Sequence, residues 1–231
     1  MGDEGRGIPT IIEMAHLTRF DIVVANAGFM RALLNEAIHH TDHRDAFGLR
    51  LARQPLMQNV LADLAIETEA AMLVAFRLAR AFDRRASDPT EAGIARPLTP
   101  IAKYWSCKRV PAVAVEAMKC LGGAGYVEES PLARFYREAP LNSIWEGSGN
   151  VICLDVLRTM QREPDAFAAL MTMLDARANA DPRLSQTLRV IRDLLADPGT
   201  LEWHARVVVE RLACAVQYAL LSEHAANPTP Q

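Results

Sequence analysis

The chain lacks the signatures of a disulfide scaffold, a zinc knuckle and a membrane span. It has four cysteines, Cys107, Cys120, Cys153 and Cys214, and no C-x-x-C pair, so neither structural zinc nor a redox dithiol is indicated. Each cysteine lies in an apolar helical run, where a reduced thiol acts as a small hydrophobe, and reduced thiols point to a cytoplasmic protein. No apolar run approaches bilayer length. Met1–Gly7 lacks a secretory hydrophobic core, and Arg6 stands where a myristoylation site prefers Ser or Thr. An excess of positive charge is missing too: 25 Lys and Arg face 28 Asp and Glu, a net charge of −3, which does not favour an overall nucleic-acid binder. His39 and His43 share a helix face at i,i+4, but no acidic motif accompanies them, so a solvated helix end is the expectation and a metal site is not.

What is present is apolar and helical. Half of the 231 residues are hydrophobic and 23% are charged, enough for a substantial core. Residues 1–14, with Gly2, Gly5, Gly7 and Pro9, read as an irregular or strand-like lead-in. From His16 to Thr41, Phe20, Val23, Val24, Ala27, Met30, Leu33, Leu34 and Ala37 recur at three- and four-residue steps, the spacing of one helix face. Arg44–Gly48 breaks that helix. A second helix is predicted from Pro55, which suits a first helical turn, to about Asp83, ending in Arg77, Arg80, Arg84 and Arg85. Residues 87–93 read as a surface connection, and a third helix is predicted over 97–121, bent at Pro111. Shorter helices follow at about 131–138, 150–161, 165–178, 183–196 and 200–224, and the tail from Asn227 reads as frayed. There is no internal repeat and no convincing set of strands. The predicted fold is all-α, a bundle of long antiparallel helices with extra C-terminal helices.

One stretch departs from helix patterning: Asn142-Ser143-Ile144-Trp145-Glu146-Gly147-Ser148-Gly149-Asn150. A lone carboxylate sits between a Trp and two glycines that allow close backbone approach. Ser148 and Asn150 suit the cap of a following helix, whose first turn offers unpaired N–H groups and a positive dipole end. In dry surroundings a glutamate placed there can act as a general base. The same residues also fit a plain helix entry, with Ser143-x-x-Glu146 as a capping box.

Three motifs in order carry a resemblance. Arg44-x-x-Phe47-Gly48 with Gln54 looks like an R-x-x-F-G…Q element, Leu121-Gly122-Gly123-Ala124-Gly125-Tyr126 like an L-G-G-x-G-[YF] turn, and Trp145-Glu146-Gly147-Ser148 like a Y-E-G-T element. Together they resemble the C-terminal helical domain of the acyl-CoA dehydrogenase family, over about residues 1–162. Thr18–Asp21, Arg77–Arg85 and Asn142–Arg158 are similar to its alkylation-response, AidB-like branch. The resemblance divides the chain into 1–14, a remnant of a preceding β-domain or linker; 15–162, the helical domain; and 163–231, an additional helical region.

The resemblance implies a flavoprotein chemistry, oxidation of an acyl-CoA thioester with hydride transfer to FAD. Glu146 matches the base that removes the α-proton. The alternative base position of the family falls at Leu17-Thr18-Arg19, which has no carboxylate. Ile144, Trp145, Gly147, Ser148, Gly149, Asn150 and Leu154 match the flavin-lining segment. Arg44, Phe47, Gln54, Gly122 and Gly123 match elements that reach the FAD of a neighbouring subunit, which implies a homo-oligomer, dimer or tetramer. The family's two upstream domains form much of the flavin and acyl-CoA sites, and the chain begins where they would end, so the expectation is a fragment or a chain completed by a partner, with an incomplete active site of its own.

The AidB-like branch also implies a second function, DNA-associated protection against alkylation. Its candidate residues are Arg158, the Arg80–Arg85 cluster with Arg84 and Arg85, and Lys103, Lys108 and Arg109. From Gln161 onward seven Arg and no Lys face nine Asp or Glu, a balance of −2 that disfavours phosphate neutralisation by that part. A helical assembly module without activity is the third reading.

Overall fold

Proline sets the helix starts in this chain. The structure, a computed structural model, describes residues 4–226, and five of its helices carry Pro at the first or second position, where the missing N–H would be unpaired anyway. These are α2 (Pro55–Arg84), α3 (Pro89–Cys120), α5 (Pro131–Glu138), α7 (Pro164–Ala178) and α8 (Pro182–Leu195). Three have a side-chain cap as well. Asp88 accepts from the backbone N–H of Thr90 and Glu91, Ser130 from Leu132 and Asp181 from Arg183. The other elements are α1 (Gly7–His43), α4 (Gly123–Tyr126), α6 (Gly149–Arg162), α9 (Ala205–Ala226) and a short antiparallel hairpin of β1 (Asp45–Ala46) and β2 (Leu49–Arg50).

Two sequence expectations are corrected. The lead-in is not irregular up to residue 14: α1 begins at Gly7, because Pro9 falls within the first turn, where no intrahelical N–H bond is required. Met1–Asp3 and the tail 227–231 lie outside the described residues. Residues 87–93 are not a surface connection either. Asp88-Pro89 starts α3, and Pro97, Pro100 and Pro111 all lie inside that one helix. The tertiary burial of α3 outweighs the local cost of its prolines.

Helix α3 is the axis of the fold. Eighteen of its residues are buried, and α1, α2, α6, α7 and α9 all pack on it. Helix α2 runs antiparallel to α1, since Phe20 stacks on Phe82 and Thr68 donates to the carbonyl of Met30. It is also antiparallel to α3, since Glu67 meets Arg109 and Arg77 meets Glu91. Helices α1 and α3 are therefore parallel. Gly93 brings α7 in close, because a Cβ there would lie 2.9 Å from that of Ala169. Helices α7–α9 do not stand apart: Leu170, Leu188, Val208 and Val216 belong to one apolar cluster with Leu33, Leu78, Leu98 and Ile152. Among the described residues no helix is long and apolar enough to cross a membrane.

Candidate functional site

The Glu146 loop is pinned from two helices. From α3, the ammonium of Lys103 donates to the carbonyls of Trp145 (2.9 Å) and Gly147 (2.8 Å). From α1, Arg19 Nε donates to the carbonyl of Glu146 at 3.0 Å, and its Nη1 reaches Asp155 Oδ2 of α6 at 2.6 Å. Three successive carbonyls are thus held by two cations. Glu146 itself has φ 55°, a left-handed conformation that costs a non-glycine residue about 1–3 kcal/mol and persists only when its surroundings impose it.

A polar ladder supports the entry to the loop. Asn26 of α1 donates to Ser106 Oγ and Cys107 Sγ of α3. Asn142 donates to Asn26 Oδ1 at 2.8 Å and accepts from the indole N–H of Trp145 at 3.0 Å, and the Cys107 thiol donates to the carbonyl of Asn142. Burial pushes the Cys107 thiol above its ordinary pKa, keeping it a neutral donor. No capping box forms: Ser143 Oγ donates instead to the carbonyl of Pro140.

Two glycines let the loop close. Gly147 has φ 103°, and a Cβ there would come within 3.1 Å of Ile152 Cδ1. At Gly149 a Cβ would lie 3.2 Å from the ring of Tyr104. Ser148 occupies the cap position of α6 without a side-chain cap bond, so the first-turn N–H groups are left without that partner. Asn150 is already engaged, accepting from Arg206 of α9 at 2.7 Å. Ile144 and Trp145 are exposed, whereas Leu154 packs against the core. The Glu146 carboxylate is only partly covered, and among the described residues it makes no hydrogen bond or ion pair. A carboxylate on a fixed backbone without a hydrogen bond to any described residue can accept a proton from a ligand.

The other predicted site residues lie elsewhere. Glu146 joins α1 at Arg19, and Arg44 follows the far end of α1, about 37 Å along the axis at 1.5 Å per residue. Because α1 and α3 are parallel, the turn at Gly122 and Gly123 lies toward that same far end. There Phe47 stands at the hairpin tip, 99% exposed with φ 55°, and Gln54 donates to the carbonyl of Ala46 at 3.1 Å. Arg44 is exposed beside it, so an aromatic ring and a guanidinium both face solvent at this end of the bundle.

The residues suggested for DNA contact are largely engaged. Lys103 is buried in the Glu146 site and Arg109 forms a two-point pair with Glu67. Arg77 and Arg80 both face Glu91, and Arg85 lies over the Phe82 ring. Arg84 and Arg158 are exposed. The sequence reading missed the roles of Arg19 and Lys103. The available signal was a lysine inside the apolar run Ile101-Ala102-Lys103-Tyr104-Trp105, where an unpaired ammonium would be costly.

Comparison with known proteins identifies the family. Residues 5–161 match the acyl-CoA dehydrogenase C-terminal domain. The chain is 41% identical over its full length to AidB of Escherichia coli (strain K12), covering 42% of that protein. It is 34% identical over 172 residues to acyl-CoA dehydrogenase family member 11 of Caenorhabditis elegans, covering 28% of it. The crystal structure of Caenorhabditis elegans ACDH-11 in complex with C11-CoA superposes on 99% of the chain with a TM-score of 0.88 at 29% identity, again 42% of the larger chain. The chain therefore spans less than half the length of these relatives. By its matched residues and its fold, it belongs to the acyl-CoA dehydrogenase family, as a C-terminal helical domain of AidB-like type.

Proposed function

We propose that this chain supplies the base of a flavin-dependent dehydrogenation of an acyl-CoA thioester. The observation that carries the reading is the Glu146 carboxylate, which among the described residues makes no hydrogen bond or ion pair and sits on a backbone held at φ 55°. Glu146 would take the α-proton, with exposed Ile144 and Trp145 forming an apolar wall beside it. FAD, when bound, supplies the hydride acceptor. Phe47, Arg44 and Gln54, with Gly122 and Gly123, suit its adenine and pyrophosphate portion. About 37 Å of helix separates Arg44 from the point where Glu146 meets α1, so these residues would serve the flavin of a second subunit, which favours a dimer or tetramer.

The test is titration of the chain with FAD, read by flavin absorbance and by mass in solution, followed by bleaching with an acyl-CoA. Stoichiometric flavin in an oligomer, bleached by the thioester and no longer bleached in Glu146→Gln, is the expected result. Bleaching that persists in Glu146→Gln would overturn Glu146 as the base. A DNA surface is the weaker reading, because most of its candidate cations are already engaged within the protein.

A further inference from the structure

Among the described residues Lys103 is the largest fully buried side chain, 1% exposed. Buried lysines are rare because removing an ammonium from water is expensive, and they normally face a carboxylate. Here both of its hydrogen bonds go to carbonyls of the Glu146 loop, those of Trp145 and Gly147. Burial lowers its pKa, and Cys107 and Glu146 nearby act in the opposite sense. A methionine would fill nearly the same volume without the desolvation cost.

We infer that Lys103 is the positioning residue of the Glu146 site: with Arg19, it clamps the carbonyls of residues 145–147 and so fixes Glu146 in the left-handed conformation that presents its carboxylate. The inference rests on the reading of Glu146 as the base. The geometry explains why two cations are needed. Returning Glu146 to an ordinary φ would rotate the peptides on either side of it, and those peptides carry the carbonyls that Lys103 and Arg19 hold. Loss of the ammonium frees two of the three carbonyls, and the strained residue relaxes.

Trp145 lies within the clamped segment and reports on it without any turnover. Its fluorescence is isolated from that of Trp105 and Trp203 by subtracting the Trp145→Phe spectrum. In Lys103→Met, helix content by far-UV circular dichroism stays unchanged, while acrylamide quenching of Trp145 rises about two- to threefold as the loop loosens. In Lys103→Ala, added propylammonium restores the quenching to its original level and propanol does not, an effect that packing alone would not produce. Arg19→Gln loosens the same loop from the other side and serves if both Lys103 variants fail to fold. In protein that bleaches with acyl-CoA, Lys103→Met lowers kcat about 10- to 100-fold with little change in KM, the cost of a misplaced catalytic group. Unchanged Trp145 quenching in both Lys103→Met and Arg19→Gln would overturn the clamp, whatever Glu146 does. Loosening of the loop together with full bleaching in Glu146→Gln would instead overturn the base assignment and leave the clamp standing.

Discussion

Arg19 and Asp155, 136 residues apart in sequence, meet at 2.6 Å across the junction of α1 and α6. The pair is mostly shielded, with side-chain exposures of 15% and 23%, and the same guanidinium holds the carbonyl of Glu146. The ion pair thus ties the Glu146 loop to the two helices that flank it. Asp155→Asn should lower stability by about 1–3 kcal/mol, since it leaves a shielded guanidinium with a weaker partner. Urea unfolding followed by circular dichroism measures the loss, and a midpoint equal to that of the unmodified protein would show the pair to be energetically idle.

The approach of α3 to α7 depends on Gly93. Adding a methyl group there should cost about 1–3 kcal/mol, because it would meet Ala169 Cβ at 2.9 Å and both helices carry buried leucines that resist displacement. The double variant Gly93→Ala, Ala169→Gly should recover part of the loss. Additive destabilisation in that double variant would mean the two positions do not press on each other.

Stability should fall on mild acidification because of His16. Burial, and then Arg96, Arg19 and Arg85 in that order, hold its pKa down to about 4, with Asp155 acting in the opposite sense. The unfolded chain binds this proton near the ordinary value of 6.5, so between the two values unfolding takes up a proton. The contribution is complete above about pH 6.5, is lost as pH falls toward 4, and amounts to at most about 3 kcal/mol. Guanidinium unfolding at pH 7 and pH 5 should show a larger acid loss for the unmodified chain than for His16→Gln. Equal losses would mean that His16 is protonated in the folded state.

Phe47→Ala should leave stability within about 0.5 kcal/mol, because a side chain that is 99% exposed has almost no packing to lose. If the hairpin serves a flavin in a neighbouring subunit, the same substitution weakens FAD binding and shifts the oligomer toward smaller species. Isothermal titration and sedimentation read both effects, and unaltered flavin affinity would detach Phe47 from the cofactor.

The thiols should divide into one and three. Cys214 is exposed, whereas Cys107, Cys120 and Cys153 are buried, and burial raises the last two to about 11. Titration of the folded protein with an aromatic disulfide should therefore modify one thiol, and four in denaturant. Rapid reaction of more than one would show that the core around α3 opens easily.

Much of this architecture can be read from the chain. Apolar steps of three and four residues mark the helix faces, and Pro55, Pro131 and the Asp181-Pro182 pair mark helix starts, because those signals act within a single turn. The same chemistry at Asp88-Pro89 was obscured by Pro97 and Pro100, which argue locally against helix and are overridden only when α3 is packed on every side. Glu146 stood out by sequence because a carboxylate among small residues breaks the helical pattern. What holds it did not, for the positions involved, Arg19, Asn26, Lys103 and Asn142, come from three separated segments, and no local pattern says that these segments meet.

The sequence alone determined a predominantly helical chain and the family to which it belongs, and it singled out Glu146 as the candidate carboxylate, since periodicity, capping and short motifs are local properties. Only the tertiary structure decided that Lys103 is buried against the Glu146 loop and not a surface cation, that Asn150 is engaged by Arg206, and that Phe47 lies beyond the C-terminal end of α1, far from Arg19 where Glu146 meets that helix. Those facts depend on which helices run parallel and where distant side chains meet, and packing sets both.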